Sequence, residues 1–217
     1  MWDIKQILLD LSSTLLAFCV GLAVFSKLDR FNRILFLQVV VYLLADSFAI
    51  LYPKYSNLFF NLFMPIETLL LFSAALYYFN TKKSKAVLLI LYVVFLIIYF
   101  PGVFSFGGIS TFAHHAAITE GLLLTGINLV MLYVDFTQGK NGFSYPVTFA
   151  GTGMILYFAS TIPFLCVMFY FQQQDSYQTK ELFNKIVVFT AWLRYLFIAI
   201  AFFIASRKPL NSTQQNF

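Results

Sequence analysis

Charge is scarce in this 217-residue chain: 11% of its residues are Asp, Glu, Lys or Arg, against 60% that are hydrophobic. Soluble domains carry about a quarter charged residues, so the shortage excludes an ordinary water-soluble fold and points to a membrane protein. Cysteine and histidine are equally sparse, two of each. Cys19 and Cys166 both fall inside apolar runs, where a thiol acts as a small apolar group. Their opposite depths argue against a disulfide, and with no histidine nearby they make no metal site. Long connections are missing too. The longest are Ser105 to His115 and the polar stretch Gln172 to Leu182, so no soluble domain fits between spans and any chemistry must lie within a bundle or at its faces.

What is abundant is uninterrupted hydrophobicity. A helix needs about 20 apolar residues to cross the hydrocarbon core, and seven such runs can be drawn: Gln6–Ser26, Ile34–Tyr52, Leu58–Phe79, Ala86–Phe104, Ala116–Phe136, Tyr145–Phe171 and Phe183–Ala205. The strands of a membrane barrel alternate in character over about 10 residues, unlike these continuous runs. The expected fold is therefore all-α, a polytopic seven-transmembrane-helix bundle over residues 1–208, with a polar and disordered tail at 209–217. The first run carries Asp10 and ends in no convincing cleavage motif, so it is expected to be retained.

The basic residues indicate sidedness. Lys27, Arg30, Arg33, Lys82, Lys83, Lys85, Lys140, Arg207 and Lys208 fall at one end of the bundle; Lys5, Lys54, Lys180 and Lys185 fall at the other. By the positive-inside rule the amino terminus is outside and the carboxyl terminus cytoplasmic. The same distribution accounts for the net charge of +5 without nucleic acid. The expected partner is the lipid bilayer, together with another membrane protein or a cytoplasmic signalling protein.

Ionisable groups inside spans are costly and mark candidate sites. Arg194 lies near the middle of the seventh run, while Asp46, Glu67 and Glu120 lie in the second, third and fifth, none with a basic residue near enough in sequence to neutralise it. At a rise of ~1.5 Å per residue, Glu67 is ~13 Å, Glu120 ~6 Å, Arg194 ~16 Å and Asp46 ~9 Å below the outer end of its helix. Asp135 sits near the inner end and is expected to be hydrated. Gln38, Tyr42 and Asp46 share one stripe of the second helix, Thr190 and Arg194 one of the seventh, and Glu120 and Asn128 are two turns apart on the fifth. If these stripes converge they line a cavity opening outward, with His114 and His115 at its rim. Adjacent histidines on a helix point about 100° apart, which disfavours a two-ligand metal clamp.

Three carboxylates against one arginine leave excess negative charge in a low-dielectric space, so a protonated carboxyl or a bound cation is expected. A purely structural ion pair with neutral neighbours is the competing reading. Pro65 and Pro163 lie within helices, where each frees a backbone carbonyl. They act either as packing kinks or, beside Glu67, as the opening of a pocket. Gly151 and Gly153 allow a neighbouring helix close.

Several stretches resemble a widespread family of small uncharacterised seven-span inner-membrane proteins of bacteria. The resemblance covers most of the chain and is carried by Asn61-Leu-Phe-Met-Pro-Ile-Glu67, Thr119-Glu120-Gly-Leu-Leu-Leu, Tyr145-Pro146 and the run from Gly153 to Thr161. What it implies is fold and location, with Glu67 and Glu120 inside its motifs. Other seven-span families fit worse. A retinal protein requires a lysine where Arg194 stands, zinc-dependent seven-span hydrolases require three histidines, and aspartyl intramembrane proteases require a Gly-x-Gly-Asp element.

The sequence thus points to a receptor-like or sensory module with a buried acidic and arginine site in the outer half. A proton- or cation-coupled carrier and an accessory subunit of a larger complex are the alternatives. No nucleophile, base and orienting group stand in a recognisable arrangement, so neither catalysis nor a cofactor is expected.

Overall fold

The structure, a computed structural model, describes residues 4–79, 81–105, 108–109, 111–138, 145–171 and 177–207, with side chains described except at 4–10, 105, 138, 167–171 and 177–184. Seven α-helices follow one another: α1 Ile4–Val24, α2 Arg30–Leu51, α3 Ser56–Tyr78, α4 Lys82–Ser105, α5 His114–Gln138, α6 Tyr145–Phe171 and α7 Tyr177–Arg207. Six of them are long and apolar enough to cross a membrane, and α1 contributes a shorter apolar stretch over its fully described part, Leu11–Lys27. The tail at 209–217 lies outside the described residues.

Local chemistry explains the boundaries. Asp29 accepts from the backbone N–H of Asn32 at 2.9 Å and from Asn32 Nδ2 at 2.7 Å, capping α2. The helix therefore begins at Arg30, a turn earlier than its apolar run. Pro53 opens the short turn between α2 and α3, and Thr81 Oγ1 accepts from Ser84 N–H at 3.1 Å before α4. One expectation is corrected at α7. The polar stretch Gln172 to Leu182 is not a connection throughout, because the helix starts at Tyr177; good helix formers such as Gln, Lys and Glu extend it beyond the hydrocarbon-length segment.

The helices pack in chain order, each on the next, and α7 closes the arrangement against α1; α3 also meets α5, and α2 meets α7. The main core joins Phe72 and Ala75 of α3 with Leu124 and Met131 of α5, Met154 of α6 and Ile198 and Phe202 of α7. A second cluster joins Met64, Phe95, Tyr99, Val103, Ala113 and Ala116 between α3, α4 and α5.

Polarity is distributed in the sense opposite to that of a soluble protein. Leu89, Ile90 and Ile97 of α4, Leu122 of α5 and Phe189 of α7 are exposed, whereas Gln38, Asn61, Thr68, Glu120, Thr190 and Arg194 are buried. Apolar surface outside and hydrogen-bonding groups inside is the arrangement a hydrocarbon solvent imposes. The chain is a multi-pass integral membrane protein by this pattern. Asp135 departs from expectation: it is buried, accepting from Thr148 Oγ1 at 3.0 Å, because α6 covers it.

Gly153 sets the distance between α6 and α7. A Cβ there would stand 2.8 Å from Phe197 Cβ and 3.1 Å from the backbone oxygen of Arg194, whereas a Cβ at Gly126 meets nothing within 4 Å. Gly153→Ala is expected to lower the unfolding midpoint in detergent, by about 1–3 kcal/mol of overpacking, and Gly126→Ala to leave it unchanged. Equal midpoints for the two variants would refute this close approach.

Candidate functional site

Arg194 is fully buried, and a guanidinium without water must find its counter-charge and hydrogen bonds in the protein. Its Nη2 donates to Glu67 Oε1 at 2.5 Å. The same oxygen accepts from Gln38 Nε2 at 3.0 Å, and that amide lies 3.4 Å from Tyr195 Oη. One carboxylate oxygen of α3 thereby ties α2 to α7. Aromatic rings supply the rest of the surroundings: the guanidinium carbon lies 4.8 Å from the ring centre of Tyr157, 5.1 Å from Phe158, 5.2 Å from Tyr195 and 5.8 Å from Tyr42. Such faces attract a cation, by up to about 2 kcal/mol when it is desolvated.

Glu67 also faces a cavity of about 910 Å³, whose walls include Tyr42, Phe63, Phe112, Glu120 and Tyr157. The cavity opens toward the end of the bundle that holds the α2–α3 and α4–α5 connections, since Asn57 and residues 111–115 line it as well. Arg194 does not line it. The guanidinium stands behind the wall and communicates with the cavity through Glu67. Glu120, one helix away, has Thr68 as its hydrogen-bond partner: Thr68 Oγ1 lies 2.5 Å from Glu120 Oε1 and 2.8 Å from Met64 O. A hydroxyl has one proton, so it serves these two acceptors in turn.

The mouth is built around Pro65. Proline has no N–H to give the carbonyl four residues back, and that carbonyl, Asn61 O, accepts instead from Tyr99 Oη of α4 at 2.6 Å. The Asn61 side chain then holds the connection before α5: Nδ2 donates to Ile109 O at 2.9 Å and Thr111 O at 2.6 Å, and Oδ1 accepts from Ala113 N–H at 3.1 Å. The rim is thus fixed to α3 one turn before Pro65.

The sequence-derived residues separate into three groups. Gln38, Tyr42, Glu67 and Arg194 form one contiguous cluster, with Glu120 in the cavity beside it. His114 and His115, the first residues of α5, stand at the mouth, where His114 meets Phe112 edge to face at 5.0 Å. Asn128 and Thr190 are not brought in. Asp46 is partly buried and outside the ion pair and the cavity wall, yet its charge acts on Tyr42, Tyr157 and Tyr195, three of the rings around Arg194. Asn128 Nδ2 donates to Leu124 O at 2.7 Å, and Thr190 Oγ1 to Ile186 O at 3.0 Å; each satisfies its own helix backbone. Three contributors escaped the sequence reading. Thr68 had no signal beyond its place next to Glu67, the aromatic box round Arg194 had none except at Tyr42, and Asn61 was detectable as the residue whose carbonyl Pro65 releases.

Among the described residues no group of three or more His, Cys, Asp or Glu side chains is arranged to hold a metal ion. No family model, no curated protein and no solved structure matches the chain. The functional reading therefore rests on this geometry.

Removing one partner of a buried ion pair strands the other, at a cost of about 3–5 kcal/mol, whereas replacing both with apolar groups can be close to neutral. Glu67→Leu and Arg194→Met are each expected to lower stability in a detergent unfolding titration by that order, and the double variant Glu67→Leu/Arg194→Met to recover most of the loss. Additive losses in the double variant would show that the two side chains do not act as a pair.

Proposed function

We propose that this protein is a receptor-like module of the membrane, in which a small ligand enters the cavity and alters the packing of α7 through Glu67. The observation that carries the reading is the double engagement of Glu67, which faces the cavity and at the same time holds Arg194 and Gln38. A group arriving at this carboxylate changes the interactions of α2, α3 and α7 together. An effect transmitted this way requires only that the guest favour one packing over another.

The basic-residue distribution supports an orientation with the cavity outside and the amino terminus on the same face, in a bacterial inner membrane. Lys27, Arg30, Arg33, Lys82, Lys83 and Lys85 then gather on the cytoplasmic side as a docking face for a signalling partner. Membership of the resembling family of seven-span bacterial proteins belongs to the same proposal.

A carrier is the second reading, favoured by two intramembrane carboxylates at one cavity. Against it stands the packing of Phe72, Leu124, Met154 and Ile198 of four different helices in one apolar core.

Trp192 reports on the transmission step. It lies two residues from Arg194, and its Nε1 donates to Ser12 Oγ of α1 at 3.3 Å. The chain has two tryptophans, so Trp2→Phe leaves a single reporter. Titrating that protein with a panel of amines, carboxylates, sugars and nucleosides is expected to give a saturable emission change for one class, lost when Ala117→Phe narrows the cavity without adding a tryptophan. A flat response across the panel, with proton flux in liposomes, would replace the receptor by the carrier.

A further inference from the structure

We infer that the ligand is a small organic ammonium ion, an amine with an apolar body, and that Glu120 is its counter-charge. This rests on the receptor reading and names the ligand class for the same cavity.

Charge pairing leads there first. Glu67 is matched by Arg194, but Glu120 has no basic nitrogen within 4.0 Å among the described residues. It is 6% exposed, and its one hydrogen bond comes from a hydroxyl that Met64 O also engages. An ionised carboxylate needs far more than a fraction of one neutral hydrogen bond when water is withdrawn. Its other oxygen has no partner among the described residues, and the residue lines the cavity. A guest that brings a positive charge and N–H donors meets both needs. An anionic guest would face Glu120 and Glu67 together, and a neutral one would leave the charge unmatched.

The walls indicate the remainder of the guest. Phe60, Phe63, Phe112 and Phe158 line the cavity with Tyr42 and Tyr157; their faces attract an ammonium group and pack against an apolar body. A volume of about 910 Å³ is within the range of small-molecule sites. Amines of two origins share this chemistry, a free solute and an aminolipid headgroup.

The test uses the full chain in detergent, with Trp2→Phe, and three probes of similar shape at neutral pH: phenethylamine, 2-phenylethanol and phenylacetate, with hexylamine as a second cation. Both amines are expected to raise the thermal midpoint and change Trp192 emission saturably up to millimolar concentration, while the alcohol and the acid do neither. Glu120→Gln is expected to weaken amine binding about tenfold or more, and Gly126→Ala, on the same helix but away from the cavity wall and with nothing within 4 Å of the added carbon, to retain it. Equal responses to alcohol and amine would mean a neutral Glu120 and overturn the proposal, as would binding of phenylacetate or silence from both amines. If amines fail while another class in the wider panel binds, the receptor reading stands and the ammonium assignment falls. If nothing binds, both fall. Should Glu120→Gln not fold, the comparison of amine with alcohol on the unaltered cavity decides by itself. Nanodiscs of phosphatidylglycerol with and without phosphatidylethanolamine separate the two origins: amine binding blocked only by the aminolipid assigns the headgroup, and binding in both assigns a soluble amine.

Discussion

A guanidinium held without water in the middle of an apolar bundle constrains everything around it. Arg194 cannot shed its charge, so the fold must supply a carboxylate and polarizable surfaces within one side-chain length. Glu67 is the carboxylate, four aromatic rings are the surfaces, and Gly153 lets α6 approach closely enough for two of those rings to reach. The arrangement of α2, α3, α6 and α7 around this point follows from the one requirement.

Pro65 shows how a local defect becomes architecture. Its missing N–H leaves a carbonyl that Tyr99 recruits from α4, while the side chain of the same asparagine fixes the α4–α5 connection. A single position on α3 thus secures a neighbouring helix and the rim of the cavity. Two residues beyond the proline, Glu67 marks the other limit of the same wall. The helix remains continuous through it, since the satisfied carbonyl removes the reason to break.

Much of this was legible in the amino-acid order. The seven apolar runs correspond to seven helices because hydrocarbon permits few backbone solutions, and the isolated charges signalled a polar interior. The limits are physical as well. A stripe such as Gln38, Tyr42 and Asp46 states which residues share a face, but not how each is used: Gln38 bonds to Glu67, while Asp46 reaches the rings around Arg194 through its charge alone and makes no ion pair with the guanidinium. Asn128 and Thr190 have a choice that spacing cannot reveal, between a neighbour and their own helix backbone, and they take the backbone. The buried state of Asp135 depends on the first turn of α6 folding back over the end of α5, which hydrophobic runs alone do not show. The early start of α7 reflects helix-forming polar residues that a hydrophobicity argument passes over.

Both hydrogen bonds to Glu67 fall on one oxygen, Oε1. Under the proposed receptor reading, occupancy of the cavity and the seating of α7 are two sides of one equilibrium, and any free energy that the first exerts on the second must be returned in equal measure. A protein gripping the far end of α7, with no view of the guest, would tighten or loosen its hold by the same factor by which the guest favours that grip.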